Sequence, residues 1–153
     1  MREILFRGKA INREEGREYR TSYKNGDWVY GLVTKLYDER FELLPATMTN
    51  EYGISGIEVD HNTIGQYTGL TANGKEIFEG DIVESRASEN KEDWKYWQVI
   101  FYDGSYCFEK DNPHKRKYKY EQNLLSEDEI ELYGLVVVGN IHDNPELLKG
   151  VKE

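Results

Sequence analysis

Trp97-Gln98-Val99-Ile100-Phe101-Tyr102-Asp103-Gly104-Ser105-Tyr106-Cys107-Phe108-Glu109-Lys110 reads as two strands around a two-residue turn. Aromatic and β-branched side chains suit a pleated, half-buried surface. Asp-Gly supplies the two positive-φ residues that a type I′ turn demands. Such a turn pairs Tyr102 with Ser105, Phe101 with Tyr106, Ile100 with Cys107 and Val99 with Phe108. Opposite residues share a face. One face therefore holds Val99, Phe101, Tyr106 and Phe108 and is expected to be core. The other holds Ile100, Tyr102, Ser105 and Cys107 and is expected to be half-buried.

The rest of the chain reads in the same way. Gly65 to Leu70 is a strand, Asn73-Gly74 a tight turn, and Asp81 to Ser85 the returning strand. Arg86 to Asp93 and Asp111 to Tyr120 are polar loops. Ser126 can cap a short helix, with Glu129 completing a capping box and Leu125 stapled to Ile130. Gly134 ends that helix after seven residues, so it must lean on a sheet. Leu135 to Ile141 is an apolar run expected to be buried on both faces or to plug a barrel. Asn144 as cap and Pro145 at the first helical position predict one more turn of helix. Nearer the N-terminus, Arg2 to Arg7 reads as a strand with Ile4 and Phe6 on one face. Ile11 to Tyr23 is a loop or irregular hairpin, Asn25-Gly26 a turn of the type I′ kind, and Trp28 to Tyr37 a strand. Phe41 to Leu44 is a short strand ended by Pro45. Thr47 to Ile57 is a polar loop leading to a short strand near Ile57 to Val59. The class is all-β, with one or two short helices.

Composition narrows the function classes. The chain has 153 residues, of which 13% are aromatic. That length buries roughly 68–70% of the unfolded surface, so no metal or disulfide is needed for stability. One cysteine excludes an internal disulfide and fits a reducing compartment. The charged N-terminus lacks the apolar stretch of a signal peptide, and no apolar run reaches the length of a membrane helix. A cytoplasmic setting without membrane association is expected. The net charge of −9 opposes general binding to phosphate backbones and suits a solubilising surface or a basic partner.

Three segments carry a family resemblance. They are Met1 to Arg7, the block Ile64-Gly65-Gln66-Tyr67-Thr68-Gly69-Leu70 through Asn73-Gly74-Lys75-Glu76-Ile77-Phe78-Glu79-Gly80-Asp81-Ile82-Val83, and Val138-Gly139-Asn140-Ile141-His142-Asp143-Asn144-Pro145-Glu146-Leu147-Leu148. In this order they resemble the YopX family of phage and prophage proteins, with a looser match between Lys9 and Glu58. The resemblance implies an irregular β-rich N-terminal part over residues 1–63 and an SH3-type small barrel over residues 64–150. Five short strands and a short helix between Gly65 and Leu148 are compatible with such a barrel. The family is of unknown function, so the resemblance carries no catalytic or ligand residue and no cofactor.

Residue chemistry adds little that points to catalysis. His61, His114 and His142 are far apart, and no metal-ligand spacing accompanies them. Asp60-His61 and His142-Asp143 could converge as an acid–base pair, but solvent-facing loop histidines are the simpler reading. Cys107 lies mid-strand opposite Ile100 and reads as a packed thiol, not a nucleophile. Asn73 and Gly74 form a structural turn, and Gly69 and Gly74, which flank it without a following helix, are not expected to cradle phosphate. Glu79 and Asp81 could be paired carboxylates. The structural alternative is stronger: Gly80 permits a bend, and Asp81 bonds nearby backbone amides. The cluster His114-Lys115-Arg116-Lys117-Tyr118-Lys119-Tyr120 interleaves cations with rings. Lys115, Arg116, Lys117, Lys119, Tyr118 and Tyr120 are thus candidate nucleic-acid contacts, against the acidity of the surrounding chain. Three readings follow: a non-catalytic accessory protein that binds an unknown host or phage protein, a nucleic-acid-binding factor using residues 114–120, and an unrecognised hydrolase. Tyr-rich edge strands could also pair in a homo-oligomer.

Overall fold

The computed structural model describes residues 3–12, 23–35, 46–109 and 123–149. Among them lie β1 (Phe6–Ala10), β2 (Trp28–Lys35), β3 (Ala46–Asn50), β4 (Ile57–Ala72), β5 (Lys75–Phe78), β6 (Asp81–Ser85), β7 (Lys95–Tyr102), β8 (Ser105–Glu109), β9 (Asn123–Leu124) and β10 (Leu135–Asn140). Two short helices, α1 (Glu127–Tyr133) and α2 (Glu146–Lys149), accompany them. The chain is mostly β, as its composition implies. It divides into two units, Met1–Tyr67 and Thr68–Glu153. The expected strand Phe41 to Leu44 and the basic cluster His114 to Tyr120 lie outside the described residues.

In the first unit β1 pairs antiparallel with both β2 and β4, while β3 pairs with β2 and β4. Four strands therefore close into a ring. Closure is what removes exposed strand edges. The registers Gly8↔Val29, Ala10↔Val59, Met48↔Ile57 and Val33↔Met48 place one set of side chains inside. Ala10, Val29, Ala46, Met48, Ile57 and Val59 form that core, with Phe6, Tyr23, Val33 and Ile64 against it. So small a ring has little room at its axis. A Cβ on Gly8 would stand 3.1 Å from Met48 Sδ and 3.3 Å from both Ile64 Cγ1 and Val59 Cβ. Among the described residues of this unit the strands form a closed ring.

Several local expectations change here. The first strand runs from Phe6, not Arg2, and Ile4 is 62% exposed. The inward positions are Gly8 and Ala10, and Arg7 is covered on the other face, its guanidinium 4.6 Å from the Trp28 ring centre. Thr47 to Ile57 is not all loop. Ala46, Met48 and Asn50 alternate inward as β3, a period-2 signal hidden by the threonines between them. At Asn25-Gly26 only Gly26 has positive φ. Asp27 N donates to Lys24 O (3.0 Å), and Asp27 Oδ2 accepts from Lys24 N (2.9 Å). This is the type II pattern, not type I′. The short strand near Ile57 and the strand from Gly65 are one, β4. Its register with β1 slips between Arg7 and Lys9. Thr63 Oγ1 stitches that bulge, accepting from Lys9 N (2.8 Å) and donating to Asp60 O (2.6 Å).

In the second unit the sheet order is β10-β6-β7-β8-β9, all antiparallel. Asn73 and Asp103, each before a glycine of positive φ, both take φ 51°, as two type I′ turns require. The pairs Tyr102↔Ser105, Phe101↔Tyr106, Ile100↔Cys107 and Val99↔Phe108 are those the turn dictates. Lys75 to Phe78 is a strand of its own before Asp81 to Ser85. The core joins Ala72, Ile77, Val83, Val99, Phe108, Leu125, Leu135 and Val137. Ser126 Oγ accepts from Glu129 N (3.2 Å) and Gly134 closes α1 in the left-handed region. Leu125 is buried, and Ile130 and Tyr133 of α1 pack against the same core, so the helix does lean on the sheet.

Two side-chain expectations fail in this unit. Phe101 shares the core face but is 53% exposed, whereas Phe108 is 0%. Phe101 lies one pair from the turn, where the Tyr106 ring meets it edge-on at 5.0 Å. Leu135 to Asn140 is buried on one face only: Leu135 and Val137 enter the core, while Val136 and Val138 are half-buried. A β-branched run alone cannot tell one covered face from two.

The asymmetry of the hairpin is measurable. Phe108→Ala should cost about 3–5 kcal/mol in urea unfolding, as for a fully buried ring, and Phe101→Ala less than about 1 kcal/mol. Gly8→Val should cost about 1–3 kcal/mol by overpacking the ring, with native circular dichroism retained at low temperature.

Candidate functional site

The motif Glu79-Gly80-Asp81 and the motif Gly139-Asn140-Ile141-His142-Asp143-Asn144 meet in the second unit, because β6 pairs with β10 and Asp81 stands opposite Asn140. Gly80, at φ 91°, donates its N–H to Val99 O (2.9 Å) and accepts from Ile141 N (2.9 Å). It thus ties the end of β10 to β7. A Cβ on Gly80 would lie 3.8 Å from His142 Nε2, so the imidazole sits beside this bend.

The polar side chains at this corner serve the backbone. Asp81 is 2% exposed, and its Oδ2 accepts from Phe78 N (2.7 Å), closing the turn between β5 and β6. Asn140 Oδ1 accepts from His142 N (3.0 Å) and Asp143 N (2.9 Å), while its Nδ2 donates to Asp143 Oδ2 (3.0 Å). Asn144 N donates to Asn140 O (2.8 Å), and Asn144 Oδ1 accepts from Asn140 N (3.3 Å). Asn144 therefore turns its side chain back to the strand, and this replaces the cap expected for the next helix. A Cβ on Gly139 would meet Asn144 Cγ at 2.8 Å, which explains the glycine. The arrangement gives a rigid strand exit.

The other candidate residues are dispersed. Asn73 and Gly74 form the exposed β4–β5 turn. His61 is exposed in the bulge of β4, in the first unit. Lys115, Arg116, Lys117, Tyr118, Lys119, Tyr120 and His114 lie outside the described residues. Among the described residues no group of three or more His, Cys, Asp or Glu could hold a metal ion. Cys107 is buried, and burial first, then the charges of Glu109 and Asp103, push its thiol pKa up. Both effects disfavour the thiolate that a nucleophile would need.

One cluster escapes sequence reasoning. Glu84 is buried on β6 opposite Tyr96 of β7, and its Oε1 accepts from Arg86 Nε at 2.7 Å. The Arg86 guanidinium lies 5.1 Å from the Trp94 ring centre, and Lys91 Nζ lies 5.7 Å from it. Burial, then the Glu84 charge and its hydrogen bond, raise the Tyr96 pKa. The available signal was alternation: Glu84 shares a face with the buried Ile82. The pairing with Tyr96 needed the β6–β7 register.

Asp81→Ala should cost about 1–3 kcal/mol in chemical denaturation, because Phe78 N loses its buried acceptor, and Asp81→Asn, which keeps an acceptor, should cost less. The raised Cys107 and Tyr96 pKa values mean that folding favours the neutral forms. Their contribution is complete below the ordinary thiol and phenol ranges and is lost as pH climbs through the raised folded values. Stability should therefore decline in alkali, less steeply in Cys107→Ala. Iodoacetamide should alkylate native Cys107 far more slowly than the urea-unfolded chain at the same pH.

The crystal structure of protein EF1440 from Enterococcus faecalis is similar, with a TM-score of 0.54 and 26% identity over 95% of this chain and 98% of that one. The crystal structure of protein yopX from Bacillus subtilis has the same fold at a TM-score of 0.50, with 22% identity over 99% of this chain and all of that one, 100%. No curated protein matches the chain. The family described as YopX protein matches residues 11–149, and by that match, over most of its length, the chain belongs to the YopX family.

Proposed function

We propose that the chain is a non-catalytic interaction module: a phage or prophage accessory protein that binds a host or phage protein in the bacterial cytoplasm. The observation that carries this reading is the use of polar side chains at the motif corner. Asp81, Asn140, Asp143 and Asn144 are bonded to main-chain amides or to each other. Asp81 and Asp143, two of the candidate carboxylates, each take part in holding a strand end. Two large side chains, Phe101 and Tyr102, stand exposed at the hairpin tip, and aromatic residues are favoured anchors at interfaces. The SH3-type barrel over residues 64–150 belongs to the same reading, as an architecture that displays loops.

A second reading rests on the cations and rings of Lys115 to Tyr120. It makes the chain a nucleic-acid-binding factor. Filter binding at low salt separates the two: retention that falls when Lys115, Arg116, Lys117 and Lys119 become Ala supports this second reading.

For the module, affinity capture with the purified chain at micromolar concentration should retain a bacterial or phage protein, saturably and in competition with free chain. A lysate of prophage-carrying cells that yields no such protein overturns the reading.

A further inference from the structure

Two Asn-Gly dipeptides occur in the chain, Asn25-Gly26 and Asn73-Gly74. Asparagine is among the thermolabile residues, and before glycine it has a specific route to change. The glycine amide nitrogen can attack the asparagine Cγ, and no Cβ on the glycine obstructs the approach. All four residues are exposed. The dipeptide and its access to water are thus the same at both sites, and the fold makes the difference between them.

The first dipeptide is clamped. Gly26 N donates to Ala10 O and Ala10 N to Asp27 O, both at 2.8 Å, so the turn is fastened to the end of β1. Asn25 Oδ1 accepts from Asn12 N (3.3 Å), and Asn12 Nδ2 donates to Tyr23 O (3.2 Å). The attacking nitrogen and the amide it would attack are each held by a separate bond. Both bonds must break before the two groups meet.

The second dipeptide is the tip of the β4–β5 hairpin. A type I′ turn bonds its outer residues, here Ala72 and Lys75, and leaves the amide of its second central residue out of the ladder. Among the described residues, no hydrogen bond holds the Asn73 side chain or Gly74 N. A Cβ built on Gly74 would meet nothing within 4 Å, so the Asn73 side chain has room to swing across it. Asn73 also sits at φ 51°, a left-handed conformation that costs a residue with a side chain. Exposed tips open more readily than clamped turns.

We propose that Asn73 is a site of spontaneous modification, converting to aspartate and isoaspartate with water as the sole co-reactant, while the fold protects Asn25. Gly74 N forms a bond to Asn73 Cγ and gives up its proton. The Cγ–Nδ2 bond breaks, and the amide leaves with that proton as ammonia. Water then opens the cyclic imide. Addition at Cγ restores the main chain and leaves an aspartate. Addition at the main-chain carbonyl leaves the chain running through Cβ and Cγ, as isoaspartate. Either product adds a negative charge at the tip. Isoaspartate also adds one carbon to the main chain of a turn whose length sets the β4–β5 register.

The test ages the purified full chain at mildly alkaline pH, folded and in urea. Mass spectrometry follows the peptides that carry residues 25 and 73, with isoaspartate separated from aspartate by chromatography. In the folded chain Asn73 should convert about tenfold or more faster than Asn25, a factor that the loss of one hydrogen bond can account for. In urea, where the bonds to Ala10 and Asn12 are gone, the two rates should converge. Equal rates in the folded chain, faster conversion at Asn25, or no conversion at Asn73 overturns the proposal. A difference that persists unchanged in urea also overturns it, because the flanking residues and not the fold would then set the rates.

Discussion

A buried main-chain amide needs a partner, and in a chain that turns as often as this one the ladder cannot supply them all. Side chains make up the difference. Asn50, Thr63, Thr68, Asp81 and Asn140 are all buried, and each bonds the backbone at a place where regular pairing stops or shifts. Asn50 builds the turn after β3, Thr63 stitches the bulge of β4, and Asp81 closes the turn before β6. Asn140 builds the exit from β10. Desolvating these polar groups is offset only because each finds a bond. The architecture of both units depends on that exchange.

This dependence gives several motif-like residues a part in holding the backbone. A buried Asp beside a Gly, followed in the fold by Asn, His and Asp, has the composition of a catalytic site. The distances give two of its members a place in the backbone network: Asp81 Oδ2 accepts from Phe78 N, and Asp143 Oδ2 accepts from Asn140 Nδ2. The glycines belong to the same device. Gly139 leaves space for Asn144 to approach the strand, and Gly8 leaves space for Met48 and Ile64 inside the ring. A motif of Gly, Asp and Asn can therefore mark a strand junction as readily as a ligand site.

The hairpin from Trp97 to Glu109 was legible because everything that sets it is local. Asp103-Gly104 fixes the turn, the turn fixes the register, and the register fixes the faces. The helix capped by Ser126 and ended by Gly134 was legible for the same reason. Asn25-Gly26 carries the same dipeptide as Asn73-Gly74 yet adopts a different turn, because Ala10 and Asp27 bond across it. β3 was missed because three of its five residues are Thr or Asn, which read as loop until two partner strands flank them. Among the site residues, Asp81 was legible as a backbone ligand, being three residues from the amide it serves. Asn140, Glu84 and Asn50 were not, since their roles depend on neighbours in space or on a buried turn.

By itself the amino-acid sequence determined the class and the family, through composition and three ordered segments, and the type I′ hairpins and the ends of α1, which rest on residues within a few positions of one another. Tertiary structure decided that β1 pairs on both edges and closes a ring, that Phe108 is buried while Phe101 is not, and that Arg7 is covered. It also decided which polar side chains are consumed by the backbone. The physical reason is range. Turn geometry and capping are settled by adjacent dihedrals, whereas burial, ring closure and side-chain satisfaction depend on which strands meet, and a single sequence does not print those meetings.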